Sequence, residues 1–170
     1  MASIFNRPGA ALPSQSYDLR PAHSADIFAI RRLQIAIFHR DAYSYLNLSA
    51  LLSWPGAANF KAVDLTSHEL IGFICAKPNW GTRIDWIETL GVHPDHQRRQ
   101  IGRRLLAMAE DALTLPHIRL TVRRSNQSAI HLYESVGYQP LYIEPRYYDD
   151  GEDGIIMQKV RPELPDPPAD

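Results

Sequence analysis

The sequence predicts a single α/β domain in which helices flank a mixed central sheet. A length of 170 residues matches one domain, and 45% hydrophobic with 22% charged residues is the composition of an ordinary folded protein. Strand-like apolar patterns dominate the first half of the chain, and helical patterns alternate with strands in the second half, without an internal repeat.

The first half follows residues 1–16, which we expect to form a flexible N-terminal segment before a domain at 17–160. Ser24 can cap a helix, and a second short helix must end before Pro55. Thr66-Ser67-His68 predicts the polar turn of a hairpin. The predicted elements are, in order, a strand at 17–20, the helix after Ser24, the short second helix, and strands at 60–64, 70–77 and 83–92. The apolar positions that predict the helix after Ser24 are Ile27, Ile30, Leu33, Ile37 and Phe38.

The second half alternates helices with strands. Asn126 can cap the last helix and Gly137 can end it. Four of the thirteen prolines lie in residues 161–170, which we expect to form a flexible tail. The predicted elements are a helix at 100–113, a strand at 118–123, a helix at 127–136, and strands at 138–144 and 154–160.

Composition excludes several classes of protein. Eighteen basic against nineteen acidic residues give no reason to expect a nucleic-acid or membrane binder. A single cysteine, Cys75, excludes a disulfide framework, and the seven histidines lack metal-ligand spacing, so we expect no metal. The first residues do not resemble a secretory signal and no apolar run could span a bilayer, so we expect a cytoplasmic protein.

A first candidate site lies where the predicted strand 83–92 runs through a short loop into a helix (LGVHPDHQRRQIGRRLL). Unpaired N–H groups and the positive dipole end at a helix start favour a phosphate, and neighbouring arginines add charge-assisted donors. The same residues also fit an ordinary helix with a solvated basic face.

A second candidate site is the helix in LTVRRSNQSAIHLYESVGY. Asn126, Ala129, Ile130 and Tyr133 share one face and offer an amide, a small residue that permits close approach, and a phenol. An N-cap with a core tyrosine is the alternative interpretation of the same pattern.

Together the two segments resemble the GNAT superfamily of acetyl-CoA-dependent N-acetyltransferases over about residues 17–160. The family's phosphate-loop motif is matched from Gln97 to Gly102, although Gln100 replaces its first glycine. The second motif is matched in full by Asn126, Ala129, Tyr133, Gly137 and Tyr138. EPRYYDDGEDGIIMQK further resembles the end of protein N-terminal acetyltransferases such as the ribosomal-protein alanine type, although Tyr147-Tyr148 also fits a hydrophobic hairpin tip. LLSWP resembles a segment of the eukaryotic catalytic subunits of these enzymes.

The resemblance implies acetyl-CoA as co-substrate and a role for each matching residue. Tyr133 would protonate the departing thiolate or hydrogen-bond its sulfur, and Asn126 would hydrogen-bond the cofactor arm. The strand residues Leu90, Gly91 and Val92 would meet the pantetheine amides. The pyrophosphate would be held by the loop residues Gln97, Arg98, Arg99, Gln100, Ile101, Gly102 and Arg103, with Gln100 expected in ordinary helical dihedrals.

The general base is the weak point of the resemblance, because Thr121 stands where related enzymes have a glutamate. Glu88, in the strand before the phosphate loop and on the same face as Leu90, is the substitute candidate. A base is dispensable for an α-amine, whose pKa of about 7.7–8.0 leaves roughly a tenth neutral at pH 7. A lysine of pKa about 10.4 is neutral in less than about one part in a thousand.

The acceptor that the resemblance implies is a protein or peptide N-terminus, held in a groove flanked by Tyr43, Tyr45, Tyr147 and Tyr148. Two alternatives stay open: a small-amine acetyltransferase, and a catalytically weak module that binds acetyl-CoA. The natural acceptor and the oligomeric state do not follow from the sequence.

Overall fold

The computed structural model describes residues 16–162. The predicted flexible segment 1–16 and tail 161–170 lie outside the described residues, apart from Ser16, Arg161 and Pro162. The Arg161 N–H donates to the Pro116 carbonyl at 2.9 Å, so the chain is still anchored where the described part ends.

Seven strands form one sheet in the order β1-β2-β3-β4-β5-β7-β6, and β4 with β5 is its parallel pair. Four α-helices accompany the sheet in the described chain, and the predicted mixed α/β fold is confirmed. The strands are β1 Tyr17–Pro21, β2 Ala58–Asp64, β3 Leu70–Asn79, β4 Ile84–Val92, β5 His117–Arg123, β6 Gln139–Glu144 and β7 Gly154–Val160. The helices are α1 Ile27–Phe38, α2 Tyr45–Leu52, α3 Ile101–Ala112 and α4 Gln127–Glu134.

Two apolar clusters cover the opposite faces of the sheet, as the alternation of β3 requires. Phe73 and Cys75 pack under α1 and α2, whereas Ile74 and Ala76 pack under α3 and α4. Successive strand residues point to opposite faces, so a continuous apolar run such as IGFICA needs helices on both sides. Cys75 is fully buried and is therefore a core residue.

The β2–β3 hairpin is confirmed, and the carboxylate of Asp64 holds its turn. Asp64 accepts hydrogen bonds from the N–H groups of Thr66 and Ser67 at 2.8 and 2.9 Å. These bonds satisfy two donors that the turn would otherwise leave unpaired.

The parallel strands β4 and β5 pair along less than half of β4. Their register runs from Ile84 opposite His117 to Ile87 opposite Leu120, whereas β4 stays paired with β3 as far as Val92. A bulge makes the divergence sharper, because Cys75 pairs with Thr89 and the next β3 residue pairs with Ile87, which leaves Glu88 as the extra residue. The second half of β4 therefore has an edge that faces away from β3 and is not paired with β5.

Candidate active site

A cleft of about 440 Å³ opens where β4 and β5 separate. Its walls are the second half of β4, the end of β5, one side of α4, and two loops at residues 39–44 and 145–153. Nine of the residues singled out from the sequence line it, namely Tyr43, Glu88, Leu90, Thr121, Asn126, Ala129, Tyr133, Tyr147 and Tyr148. Residues of the candidate phosphate loop lie outside this cleft, at the start of α3.

Both ends of α4 are fixed by residues of the second motif. The Asn126 side chain accepts a hydrogen bond from the Ala129 N–H at 3.1 Å and so caps the start of the helix. Gly137, at a φ of 97°, lets the Tyr138 N–H reach back to the Tyr133 carbonyl at 3.0 Å. The two tyrosine rings lie 5.8 Å apart, so the helix ends in a Schellman motif with its apolar contact. The motif therefore fixes the position of Tyr133 in the last turn of α4.

Tyr133 is 8% exposed and lines the cleft. Burial raises the pKa of its phenol to about 12, because a phenolate would lose its hydration there. The phenol is therefore neutral at physiological pH and is available as a hydrogen-bond donor to a group in the cleft.

Glu88 is the bulged residue of β4 and lines the cleft together with Leu90. Its carboxylate pairs with the Lys77 ammonium at 3.0 Å, and that ammonium lies 4.9 Å from the centre of the Trp54 ring. The bulge also frees the Glu88 carbonyl, which accepts a hydrogen bond from the Tyr43 hydroxyl at 3.2 Å. Glu88 therefore contacts Lys77 through its side chain and Tyr43 through its carbonyl group.

Thr121 faces the cleft from β5, across from Glu88. A Cβ on Gly154 of β7 would lie 2.7 Å from the Thr121 methyl group and 3.0 Å from the Tyr147 Cβ. Glycine is therefore needed at position 154 for Thr121 and Tyr147 to keep their places.

The end of β4 has main-chain groups that β5 leaves free. Leu90 and Val92 belong to the part of β4 that β5 leaves unpaired. Gly91 fits tightly, because a Cβ there would lie 2.9 Å from the Phe73 ring and 3.0 Å from Ile37. Strand groups such as these can pair with amides of an extended ligand.

The candidate phosphate loop is held in shape by contacts at its ends. The Gln97 side chain donates to the Val92 carbonyl at 3.3 Å, and the Tyr17 hydroxyl donates to the Arg99 carbonyl at 3.2 Å. Arg103 reaches the Ser135 hydroxyl at the end of α4 over 2.6 Å.

Gln100 adopts the left-handed conformation, with φ 65° and ψ 2°, immediately before α3. The expectation of ordinary helical dihedrals at Gln100 is therefore wrong, and Arg98 also has a positive φ of 60°. This conformation explains why a glycine is favoured here, since a left-handed non-glycine residue costs roughly 1–2 kcal/mol.

The start of α3 presents main-chain N–H groups without intrahelical partners. Residues Ile101, Gly102 and Arg103 form the first turn, where N–H groups lack intrahelical acceptors and the helix dipole is positive. A Cβ on Gly102 would stand at ordinary contact distance, 3.5 Å from Leu132 and 3.7 Å from Val92. The protein alone therefore does not require glycine at position 102, and the open space suits a closely approaching ligand.

The two loops bring three of the four predicted acceptor tyrosines to the cleft. The Tyr43 N–H donates to the buried Gln34 side chain at 3.1 Å, and burial raises the pKa of the Tyr43 phenol. Tyr147 and Tyr148 contact each other edge to face at 5.0 Å. The structure does not bring Tyr45 to the cleft: it is 51% exposed and its ring contacts the exposed Phe28 ring in a tilted arrangement.

Sequence reasoning missed a cluster of charges at the mouth of the cleft, formed by Arg123 with Asp41, Asp150 and Glu152. The acidic run DDGED and the basic pair at the end of β5 were visible signals. No local pattern pairs Asp41 with Arg123, which are 82 residues apart. No group of residues suited to hold a metal occurs within residues 16–162, and no helix in that range could cross a membrane.

The family model described as "Acetyltransferase (GNAT) family" matches residues 27–138. Among curated proteins, the N-terminal acetyltransferase A complex catalytic subunit ard1 of Schizosaccharomyces pombe is 27% identical over 151 residues, which are 84% of each chain. The N-alpha-acetyltransferase RimI of Mycobacterium tuberculosis is 40% identical over 74 residues, 43% of this chain and 47% of RimI.

Among solved structures, the ribosomal-protein-S18-alanine N-acetyltransferase of Escherichia coli superposes with a TM-score of 0.77 at 26% identity. The match covers 88% of this chain and 97% of that enzyme. The similarity therefore extends over most of the chain rather than one motif.

Proposed function

Because the chain belongs to the acetyltransferase (GNAT) family, we propose that it transfers the acetyl group of acetyl-CoA to the α-amine of a protein or peptide N-terminus. The observation that carries this proposal is the cleft itself, which runs from Asn126 and Tyr133 on one side to the tyrosine-bearing loops on the other. The names of the relatives, N-terminal and N-alpha-acetyltransferases, support the same acceptor.

Acetyl-CoA supplies an acetyl thioester, and this chain supplies the groups that bind it. The first-turn N–H groups of α3 would hold the pyrophosphate, with Arg98, Arg99 and Arg103 adding charge-assisted donors. The edge of β4 from Leu90 to Val92 would pair with the amides of the pantetheine arm, opposite Asn126. This arrangement would extend the arm along the opening between β4 and β5, with its thioester beside Tyr133.

The transfer forms one N–C bond and breaks one C–S bond, while the amine loses a proton and the thiolate gains one. Burial raises the pKa of Tyr133 to about 12, above the value of about 8.5 for a thiol, so complete transfer of the phenol proton to the thiolate is unfavourable. The useful role of the phenol is therefore a hydrogen bond to the sulfur, which strengthens as negative charge develops there. The proton that the amine loses finally protonates the thiolate.

Glu88 would attract the acceptor's ammonium group, receive its proton and pass that proton on to the thiolate. The Lys77 ammonium, 3.0 Å away, holds the Glu88 carboxylate in place at the wall of the cleft. Because an α-amine is already about one-tenth neutral at pH 7, the reaction does not require a strong base, and Thr121 in place of a glutamate is tolerable. A lysine side chain would need such a base.

The test measures CoA release with three acceptors: a peptide with a free α-amine, the same peptide blocked at its α-amine but carrying a lysine, and a polyamine. The proposal expects release with the first acceptor and its loss on blocking the amine. Equal rates for the free and blocked peptides would refute the N-terminal acceptor. A preference for the polyamine would favour the small-amine alternative, and binding of CoA without release for any acceptor would favour a binding module.

A further inference from the structure

One guanidinium group joins the two loops at the mouth of the cleft. Arg123, the last residue of β5, donates to Asp41 of the first loop with an Nε–Oδ2 distance of 2.8 Å. Its Nη2 also donates to Asp41, whereas its Nη1 donates to Asp150 at 2.9 Å and to Glu152 at 2.6 Å, both in the second loop. The three carboxylates thus converge on one side chain that is 22% exposed.

The same guanidinium supports an aromatic residue of the second loop. Its central carbon lies 4.0 Å from the centre of the Tyr148 ring, which is the distance of a close cation–π contact. Arg123, Asp41 and Tyr148 all line the cleft, so the contact forms part of the cleft wall.

The cluster also extends to the helix that carries Tyr133. The second carboxylate oxygen of Glu152 accepts a hydrogen bond from the Ser125 N–H at 2.8 Å. Ser125 immediately precedes Asn126, the cap of α4. Glu152 therefore also links the second loop to the start of α4, through an oxygen that Arg123 does not contact.

Geometry and charge both make arginine special at this position. A planar guanidinium with five donors can bridge several carboxylates and stack on a ring, whereas an ammonium acts as a point charge. Without the guanidinium, Asp41 would face Asp150 and Glu152 with no cation between them, and like charges repel. Single exposed ion pairs contribute little, but a bridging network with a stacked ring also constrains geometry.

We propose that Arg123 is a positioning residue for the acceptor: by holding residues 39–44 to residues 145–153, it sets the shape of the groove that receives the peptide. The proposal rests on the proposed function only in naming those loops as the acceptor groove. Arg123 acts through Tyr43 and Tyr148 and takes no part in the bond changes.

The experiment compares Arg123→Gln with Arg124→Gln in the full chain. Arg124 is the matched control, because it is the adjacent arginine and its pair with Asp153, at 3.4 Å, is exposed. Steady-state kinetics with a peptide acceptor give both Michaelis constants and kcat, and amide hydrogen exchange reports the order of each loop. Arg123→Lys separates the charge from the bridging geometry.

We expect Arg123→Gln to raise the peptide KM by about tenfold or more, since small misplacements of a bound reactant are costly. The KM for acetyl-CoA should change by less than about twofold, since the start of α3 is untouched. Amide hydrogen exchange should become faster in both loops of Arg123→Gln. In peptide KM and in loop exchange, Arg123→Lys should fall between wild type and Arg123→Gln, and Arg124→Gln should match wild type. If Arg123→Gln does not fold, Asp41→Asn removes the link to the first loop alone.

Equal increases in both Michaelis constants, or unchanged exchange in the two loops, would overturn the positioning role. Full recovery in Arg123→Lys would contradict the bridging geometry. A wild-type protein that does not acetylate peptides would refute the proposed function, while the exchange data would still decide whether Arg123 holds the loops together.

Discussion

Replacing Gln100 with glycine should stabilise the protein, although glycine usually destabilises. Gln100 has a φ of 65°, a conformation that costs a non-glycine residue roughly 1–2 kcal/mol. The greater entropy of glycine in the unfolded chain offsets about 0.5–1 kcal/mol of this gain. The net effect is about 0.5–1 kcal/mol, which raises Tm by roughly 1–4 °C in a chain of this length.

The matched control is Gln97→Gly, three residues earlier. Gln97 has an ordinary φ of −66° and donates a hydrogen bond to the Val92 carbonyl, so glycine there should lower the stability. Gln100→Val should also destabilise, because a β-branched residue resists a positive φ. Thermal and urea unfolding measure all three variants. A loss of stability in Gln100→Gly similar to that in Gln97→Gly would refute the assigned conformation.

Three further predictions concern the cleft and its mouth. Tyr133→Phe should lower kcat by roughly 10²–10³-fold with an unchanged Kd for CoA, and an unchanged kcat while chemistry limits the rate would exclude the proposed hydrogen bond to sulfur. Gly154→Ala should destabilise by about 1–3 kcal/mol by overpacking against the Thr121 methyl group, and Thr121→Ser should restore part of the loss in urea unfolding; no recovery would contradict this contact. Hydrogen bonds from Ser125 and then Arg123 lower the pKa of Glu152 to about 2, below its ordinary value of about 4.3. The stability that this depressed pKa contributes is full above about pH 4.3 and is lost as the pH falls towards 2. The free energy of unfolding of Glu152→Gln should therefore fall less steeply than that of wild type over this pH range.

Local sequence signals predicted the parts of the site that are built from local structure. Asn126 as a cap and Gly137 as a terminator follow from the hydrogen-bonding groups that a helix leaves unpaired at its ends. The structure contains both features, and Tyr133 and Tyr138 follow from the same motif. The interpretation as an N-cap with a buried tyrosine also holds, because the same contacts position Tyr133 in the cleft wall.

Features that depend on distant pairing were not predictable in this way. The bulge at Glu88 reflects the register between β3 and β4, and the residues around it give no sign of an extra residue. The contact between Arg123 and Asp41 likewise depends on how the loop before α2 packs against the end of β5. Gln100 shows a third kind of limit: its side chain disfavours the left-handed conformation, but the surrounding loop and α3 impose it.

The most direct test of the central claim is an acetylation reaction on one peptide that carries both a free α-amine and a lysine, analysed by tandem mass spectrometry. At pH 7 the α-amine is neutral several hundredfold more often than the lysine side chain, because its pKa in solution is lower. Chemical acetylation of the same peptide therefore gives the baseline ratio of α-amine to lysine modification. The account predicts that the enzyme modifies the α-amine and exceeds the chemical preference. Acetylation that falls mainly on the lysine would contradict it.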